Sequence, residues 1–376
     1  MNGTPDSGWQ FIRDGFGKKA AVTLLLTLGL LALDRLPRSL PAHSLAARTL
    51  GRVVKEMHNG DLNADDLHVL AAGYYEELRN DVPVAGVWEQ GDIRSIPGFL
   101  RYELRPNVNH SYAAGMRVTN SLGLANPEYA YQKPPHTRRI ALLGDSVSLG
   151  PYGNDYRALL ENRLNRDDLT ADTQQFQVLN FAVYGYSVLQ MMDVALDKAS
   201  RFHPDVYMVA VTDLEVMGGA GWRTHIARLV QARTDLKYDF LRRTVAQAGV
   251  QPSDRQSDIQ RKLTPYFLPV LQWALEQIRD HAAAEGARMV ILLVPTPINP
   301  DYIATDFDSL LPALGKVGVP VVDLRNTFRN AANLRDFEVI PGKDIHPNVR
   351  GHQAIFENLY AGLRAQPNAW TMVAGN

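Results

Sequence analysis

The chain has 376 residues, 45 % of them hydrophobic and 21 % charged, a balance that belongs to a folded globular protein of one large domain or two smaller ones. A formal net charge of −1 gives no ground for nucleic-acid binding, and the absence of cysteine excludes disulfides, thiolate metal sites and cysteine catalysis.

Near the N-terminus, residues 20–33 (AAVTLLLTLGLLAL) form an uncharged run of 14 between Lys18-Lys19 and Asp34-Arg35. That is short against the roughly 20 residues that span a bilayer, and suits a signal-peptide core. A buried core helix is the plainer alternative. The polar lead of 19 residues is long for a cleaved signal, and only Ala42-His43-Ser44 offers a tolerable cleavage site. The expectation is therefore an uncleaved signal-anchor within residues 1–40, a single membrane helix in the inner membrane. Trp9 and Phe11 are placed either to seat at the membrane interface or to be plain tail residues. Cationic residues flank the run on both sides: Arg13, Lys18 and Lys19 before it, Arg35, Arg38, Arg48 and Arg52 after it. Long domains translocate largely regardless of such charges, so the rest of the chain is expected on the exported, periplasmic side.

Residues 41–135 read as a small α+β lead-in region. Apolar residues recur at helical spacing over residues 45–79, whereas residues 80–135 are rich in Pro, Gly and Asn and carry short β-type pieces such as LRYELRP and AGMRVTN. QKPPHTRR, residues 132–139, is expected to be a linker.

Residues 136–368 then alternate strands and helices. RIALLG (139–144), FQVLNFAV (176–183), DVYMVAV (205–211), RMVILLV (288–294) and VPVVDL (319–324) are short runs rich in Val, Ile and Leu, without polar alternation. Strands buried on both faces of a parallel sheet have that pattern. The helical stretches YRALLENRLN, SVLQMMDVALDKASRF, PYFLPVLQWALEQIRDHAAAEGA and GHQAIFENLYAGLRA lie between or after them. The pattern predicts an α/β domain of three layers, α/β/α. A polar, helix-forming insert at residues 218–262 is longer than an ordinary connection and could cap the site; its GWR at 221–223 and its scattered arginines are expected on a solvated face, with substrate contact the alternative.

Ligands of open parallel sheets bind at the carboxyl ends of the strands. Gly144-Asp145-Ser146 follows the first strand, where a serine on a tight turn would present its hydroxyl beside helix N-terminal amides able to stabilise an oxyanion. The competing reading is that Ser146 merely caps the next helix. In NFAVYGYS, residues 180–187, Gly185 would let a backbone N–H approach a substrate, or would only make the turn. His346, just before the last helix, could take the serine proton and pass it to a leaving group. Asp344, His346 and His352 could be taken for metal ligands, but His352 falls at the helix start and no further carboxylate clusters there, so neither a metal nor a cofactor is expected.

Two motifs, LLGDSVSLG at 142–150 and DIHPNVRGH at 344–352, carry a resemblance to the SGNH, or GDSL, hydrolase superfamily that covers residues 139–364. The stretch YELRPNVNHSYAAGMRVTNSLGLANPEY before them resembles the lead-in of a bacterial, membrane-associated branch whose members accompany envelope polysaccharides or lipids. The resemblance implies a flavodoxin-like sheet and ester hydrolysis through an acyl-enzyme. Position by position, it implies Ser146 as nucleophile and His346 as base, with the backbone N–H groups of Ser146 and Gly185 in the oxyanion hole.

The chain departs from that pattern twice. The family's G-x-N-D block corresponds to VAVTDLEV, residues 209–216, which has no Asn; Thr212 could donate in its place, while an ionised Asp213 would repel an oxyanion. The family's acid stands three residues before the histidine, where this chain has Lys343. Asp344 stands two before, a spacing that also occurs in related polysaccharide O-acetyltransferases. Asp344 either completes the triad or is a solvated charge beside a Ser-His dyad, with Asp336 a distant substitute. The leading expectation is a membrane-anchored serine esterase acting on acetyl or other short acyl esters of an envelope carbohydrate or glycolipid. The alternatives are an O-acyltransferase on polysaccharide and a non-catalytic binding module in polysaccharide assembly or export.

Overall fold

The computed structural model describes residues 92–166, 175–216 and 221–375, all within one compact unit, Val69–Asn376. The expected signal-anchor, Trp9 and Phe11 and the helix over 45–79 lie outside the described residues. Among the described residues, no helix is long and apolar enough to cross a membrane.

The lead-in contributes two antiparallel hairpins, β1 (Ile93–Ser95) with β2 (Tyr102–Leu104), and β3 (Asn109–Tyr112) with β4 (Gly115–Val118). β5 (Thr137–Leu143) opens the main sheet and runs into the one-turn helix α1 (Ser146–Leu149) and then α2 (Tyr156–Arg166). β6 (Gln175–Asn180), α3 (Val188–Val194) and β7 (Val206–Thr212) follow. The insert then folds as α4 (Gly221–Gln231), α5 (Asp239–Gln247) and α6 (Gln256–Leu263), before α7 (Phe267–Ala284), β8 (Arg288–Val294), α8 (Pro300–Val317) and β9 (Val321–Asp323). The short antiparallel pair β10 (Glu338–Ile340) and β11 (Asp344–Pro347) precedes α9 (Val349–Ala365) and α10 (Pro367–Ala374).

The main sheet has five parallel strands in the order β6-β5-β7-β8-β9. In chain order that is 2-1-3-4-5, the flavodoxin-like arrangement, whose switch point falls beside the first strand. Period-two alternation sorts the strand residues onto two buried faces. Ala141, Leu143, Val209, Val211, Ile291 and Leu293 pack in the core with α3, α4, α7 and α8. Ile140, Leu142, Met208, Ala210, Val290 and Leu292 pack in the core with α2, α9 and α10. Both faces being covered is why these strands read as unbroken apolar runs.

Three local expectations change. β6 stops at Asn180 instead of 183, because the Asn180 Oδ1 accepts from the Ala182 N–H (2.9 Å) and turns the chain. β9 is only three residues long; Pro320 before it has no N–H to donate, though its carbonyl accepts from Ile291. The segment read as a linker is tied down. The buried Arg139 donates to the carbonyls of Ala130, Tyr131 and Phe202, and Lys133 pairs with Asp205 at 2.6 Å.

Candidate active site

β5 ends at Leu143, and Gly144 lets the chain turn so sharply that a Cβ there would lie 2.4 Å from Ser148 Oγ. Asp145 caps α1, its carboxylate accepting from the Val147 N–H at 2.8 Å. Ser146 is thus the first residue of a helix pointing out of the sheet at the switch point, half-buried at the strand's carboxyl end. The serine does not itself serve as the cap, because Asp145 does.

His346 reaches Ser146 from 200 residues away: Nε2 stands 2.7 Å from Ser146 Oγ. On the other side of the ring, Nδ1 stands 2.6 Å from Asp344 Oδ1, which also accepts from the His346 backbone N–H at 3.0 Å. The two-residue spacing works because residues 344–347 are a strand, β11, and alternate strand residues share a face. Lys343, one position earlier, is exposed. Burial pushes the Asp344 carboxyl up, but the His346 ring and backbone N–H outweigh it and hold the group below its ordinary value.

Gly185 has φ 63°, a left-handed conformation that glycine adopts freely. It borders the same depression as Ser146, an open space of about 220 Å³ also lined by Tyr186, Leu214, Glu215 and Gly221. Among the described residues, neither the Ser146 nor the Gly185 N–H has an acceptor. The Gly185 loop is held by the lead-in hairpins. Tyr102 Oη donates to the Tyr184 carbonyl (2.8 Å), Tyr186 Oη donates to the Tyr102 carbonyl (2.7 Å), and the buried Arg117 reaches both Tyr184 Oη (3.0 Å) and the Gly150 carbonyl (2.5 Å). Nothing in the sequence signalled these anchors, because each joins residues 33 to 84 positions apart.

Thr212 corrects an expectation. Its one hydroxyl proton goes to Asp145 Oδ2 at 2.5 Å, so it braces the cap of α1 and is not free for an oxyanion. Asp213 does not face the depression: it is fully buried and accepts from Thr296 N (2.8 Å) and Oγ1 (2.7 Å). GWR is no solvated face either. Trp222 is buried to 1 % exposure, and Arg223 lies over the Phe267 ring. His352 is buried against Tyr156, and burial, then the charges of Arg117 and His346, push it down to about 3. Among the described residues, no group of three or more potential ligands could hold a metal. Asp336 caps nothing at the serine; its carboxylate accepts from Asn333.

Burial pushes the carboxyls of Asp213 and Glu215 up to about 7, against opposing hydrogen bonds from Thr296 and from the Trp222 and Val188 N–H groups. Between the ordinary carboxyl range near pH 4 and pH 7, the folded chain therefore holds protons that the unfolded chain releases. The contribution of these two groups to stability falls as pH rises through that window, while neutral His225 and His352, both pushed down to about 3, contribute in the opposite sense up to the ordinary imidazole value. Between pH 5.5 and pH 7 the stability of the wild type relative to Asp213→Asn is therefore expected to fall, which thermal melts of the two chains at each pH would show. An equal slope in wild type and variant would count against a protonated Asp213.

The sequence profile of the GDSL-like lipase/acylhydrolase family matches residues 142–354, more than half of the chain. Among solved structures, the chain is similar to the alpha/beta hydrolase LAE5 from the metagenome of Lake Arreo, Spain, at 16 % identity over 60 % of this chain and 94 % of that one, with a TM-score of 0.40. It is also similar to the acetyl xylan esterase AlAXEase (14 % identity, 60 % and 99 % covered, TM-score 0.37). The third is a catalytic mutant of the acetylxylan esterase Axe2 from Geobacillus stearothermophilus (13 % identity, 60 % and 94 % covered, TM-score 0.38). No curated protein sequence matches the chain. With the profile spanning both the GDS turn and the histidine loop, the chain belongs to the GDSL-like lipase/acylhydrolase family of ester hydrolases.

Proposed function

We propose that the chain is a serine esterase that removes short acyl groups, acetyl above all, from an envelope carbohydrate or glycolipid. The observation that carries the reading is the continuous line Ser146 Oγ, His346, Asp344, with steps of 2.7 and 2.6 Å. In this reading Ser146 Oγ attacks the ester carbonyl carbon while His346 Nε2 takes the hydroxyl proton. The carbonyl oxygen, now negative, accepts from the Ser146 and Gly185 N–H groups. The proton on His346 passes to the departing alkoxide, which leaves as the alcohol and the acyl group stays on Ser146. Water then attacks with His346 again as base; the carboxylic acid leaves and Ser146 recovers its proton. Asp344, ionised, holds the imidazole so that Nδ1 carries a proton and Nε2 is free to accept one.

The depression beside Ser146, as the described residues bound it, has room for a short acyl group. The apolar run at residues 20–33 supports a membrane-anchored enzyme with an exported catalytic part, and so a substrate in the envelope. The spacing of Asp344 and His346 favours one second reading: the acyl-enzyme delivers to a sugar hydroxyl in place of water. Fluorophosphonate labelling of the full chain, followed by turnover of p-nitrophenyl acetate and p-nitrophenyl octanoate, tests the proposal. Labelling with acetate preferred at least about tenfold, roughly 1.4 kcal/mol, is expected. No labelling would move the chain to a non-catalytic binding role. Labelling with slow hydrolysis that a sugar acceptor accelerates would establish the transferase.

A further inference from the structure

Beside the serine depression lies a second one, an open space of about 270 Å³ that shares Gly185 and Gly221 with it. Its wall is one face of α4, where Gly221, Thr224, His225 and Arg228 follow helical spacing, with Arg101 of the lead-in facing them. Arg101 and Arg228 are both only partly exposed, and neither side chain has a carboxylate or carbonyl partner among the described residues. Like charges brought together out of full solvent cost free energy unless something compensates them. The cost is visible at Arg101, whose guanidinium is held below its ordinary value by burial and then by Arg228. Arg101 also stands at φ 70°, a left-handed backbone that a residue with a side chain rarely adopts and that surrounding structure must hold in place.

A third group points the same way. His225 lines this depression and is 4 % exposed, and its Nε2 has no hydrogen-bond partner. Burial, then Arg101 and Arg228, push it down to about 3, so the ring is neutral. The Phe99 carbonyl can only accept, so the ring nitrogen bonded to it carries the proton and Nε2 keeps its lone pair. Two guanidinium groups with no carboxylate partner among the described residues, beside a neutral acceptor, match a ligand with an anionic group and a hydroxyl.

We propose that this depression binds a carboxylate or phosphate on the alcohol part of the substrate, through Arg101 and Arg228, with His225 accepting from a neighbouring hydroxyl. This rests on Ser146 as the nucleophile: the acyl group must sit against Ser146, and the adjoining depression receives what remains. Planar guanidinium groups suit both anions through paired N–H donors.

The test is calorimetric binding to the full-length Ser146→Ala chain of three esters of one shape: 4-acetoxybenzoate, 4-acetoxyphenyl phosphate and the neutral methyl 4-acetoxybenzoate. At least one anionic ester is expected to bind about 10- to 100-fold tighter than the neutral one, as charge-assisted hydrogen bonds allow. The better of the two identifies the anion. In Arg101→Gln/Arg228→Gln on the same background, the ratio should fall to about one, and Arg228→Lys should keep part of it. Equal affinities for all three esters in the parent chain overturn the proposal without reference to any arginine variant, as does a preference that survives the double change. If the preference stands but the unaltered chain turns over none of the esters, the anion site holds and the esterase reading falls.

Discussion

Ser146→Ala is expected to lower the turnover of acetate esters by about 10⁵- to 10⁶-fold, the scale seen when a nucleophile is removed from a serine hydrolase whose remaining groups act only with it. His346 has nothing to deprotonate without the hydroxyl, and the Ser146 and Gly185 N–H groups have no tetrahedral oxyanion to hold. The fold should be indifferent. Ser146 is half-buried, its hydroxyl partners His346, and the cap of α1 is Asp145. Two measurements settle the matter together: initial rates on p-nitrophenyl acetate and a thermal melt. Residual activity above a few per cent of wild type at an unchanged melting temperature would remove Ser146 from the chemistry. A collapsed melt would instead show that the GDS turn holds the sheet edge together.

Asp344→Asn should cost about 10³- to 10⁴-fold in kcat with little change in KM. The amide keeps the shape but can present a donor to Nδ1, which favours the tautomer with the proton on the wrong nitrogen. His346→Ala should come close to the loss of the serine variant, since Nε2 is the group that moves the proton. The pH profile separates orientation from plain packing. In the wild type the Asp344 carboxyl is depressed by its hydrogen bonds to His346, so it is ionised throughout the range in which imidazole titrates, and the acid limb of kcat should not report it. Because a depressed carboxyl adds stability that is lost only as pH falls through its lowered value, any acid destabilisation from this pair belongs below the ordinary carboxyl range. Near wild-type kcat in Asp344→Asn would leave a Ser-His dyad, with Asp344 a bystander on β11.

The architecture was legible because its cause is local. Strands covered on both faces need unbroken apolar runs, and RMVILLV at 288–294 is a strand over its whole length. The ends were less legible, since the hydrogen bond that Asn180 Oδ1 accepts from the Ala182 N–H stops β6 where Phe181, Ala182 and Val183 continue the apolar pattern. Trp222 read as surface because its neighbours are polar, yet it is buried, its ring stacked on Phe267. Propensity describes a residue's neighbours in the chain, whereas burial is decided by its neighbours in space.

The same division runs through the site. By itself the sequence determined the GDS turn, the histidine's loop, the α/β alternation that carries both, and the absence of cysteine chemistry. Only the tertiary structure decided which acid stands against the ring, because Asp344 and His346 share a face only once residues 344–347 pair with β10 as a strand. It alone decided that the Thr212 hydroxyl goes to Asp145, that Asp213 turns inward to Thr296, and that Arg101 and Arg228 meet across 127 positions of chain. A turn or a strand is encoded by residues that touch along the chain. A hydrogen bond or a charge pair between distant segments exists only where packing two elements fixes both ends, and no periodicity records it.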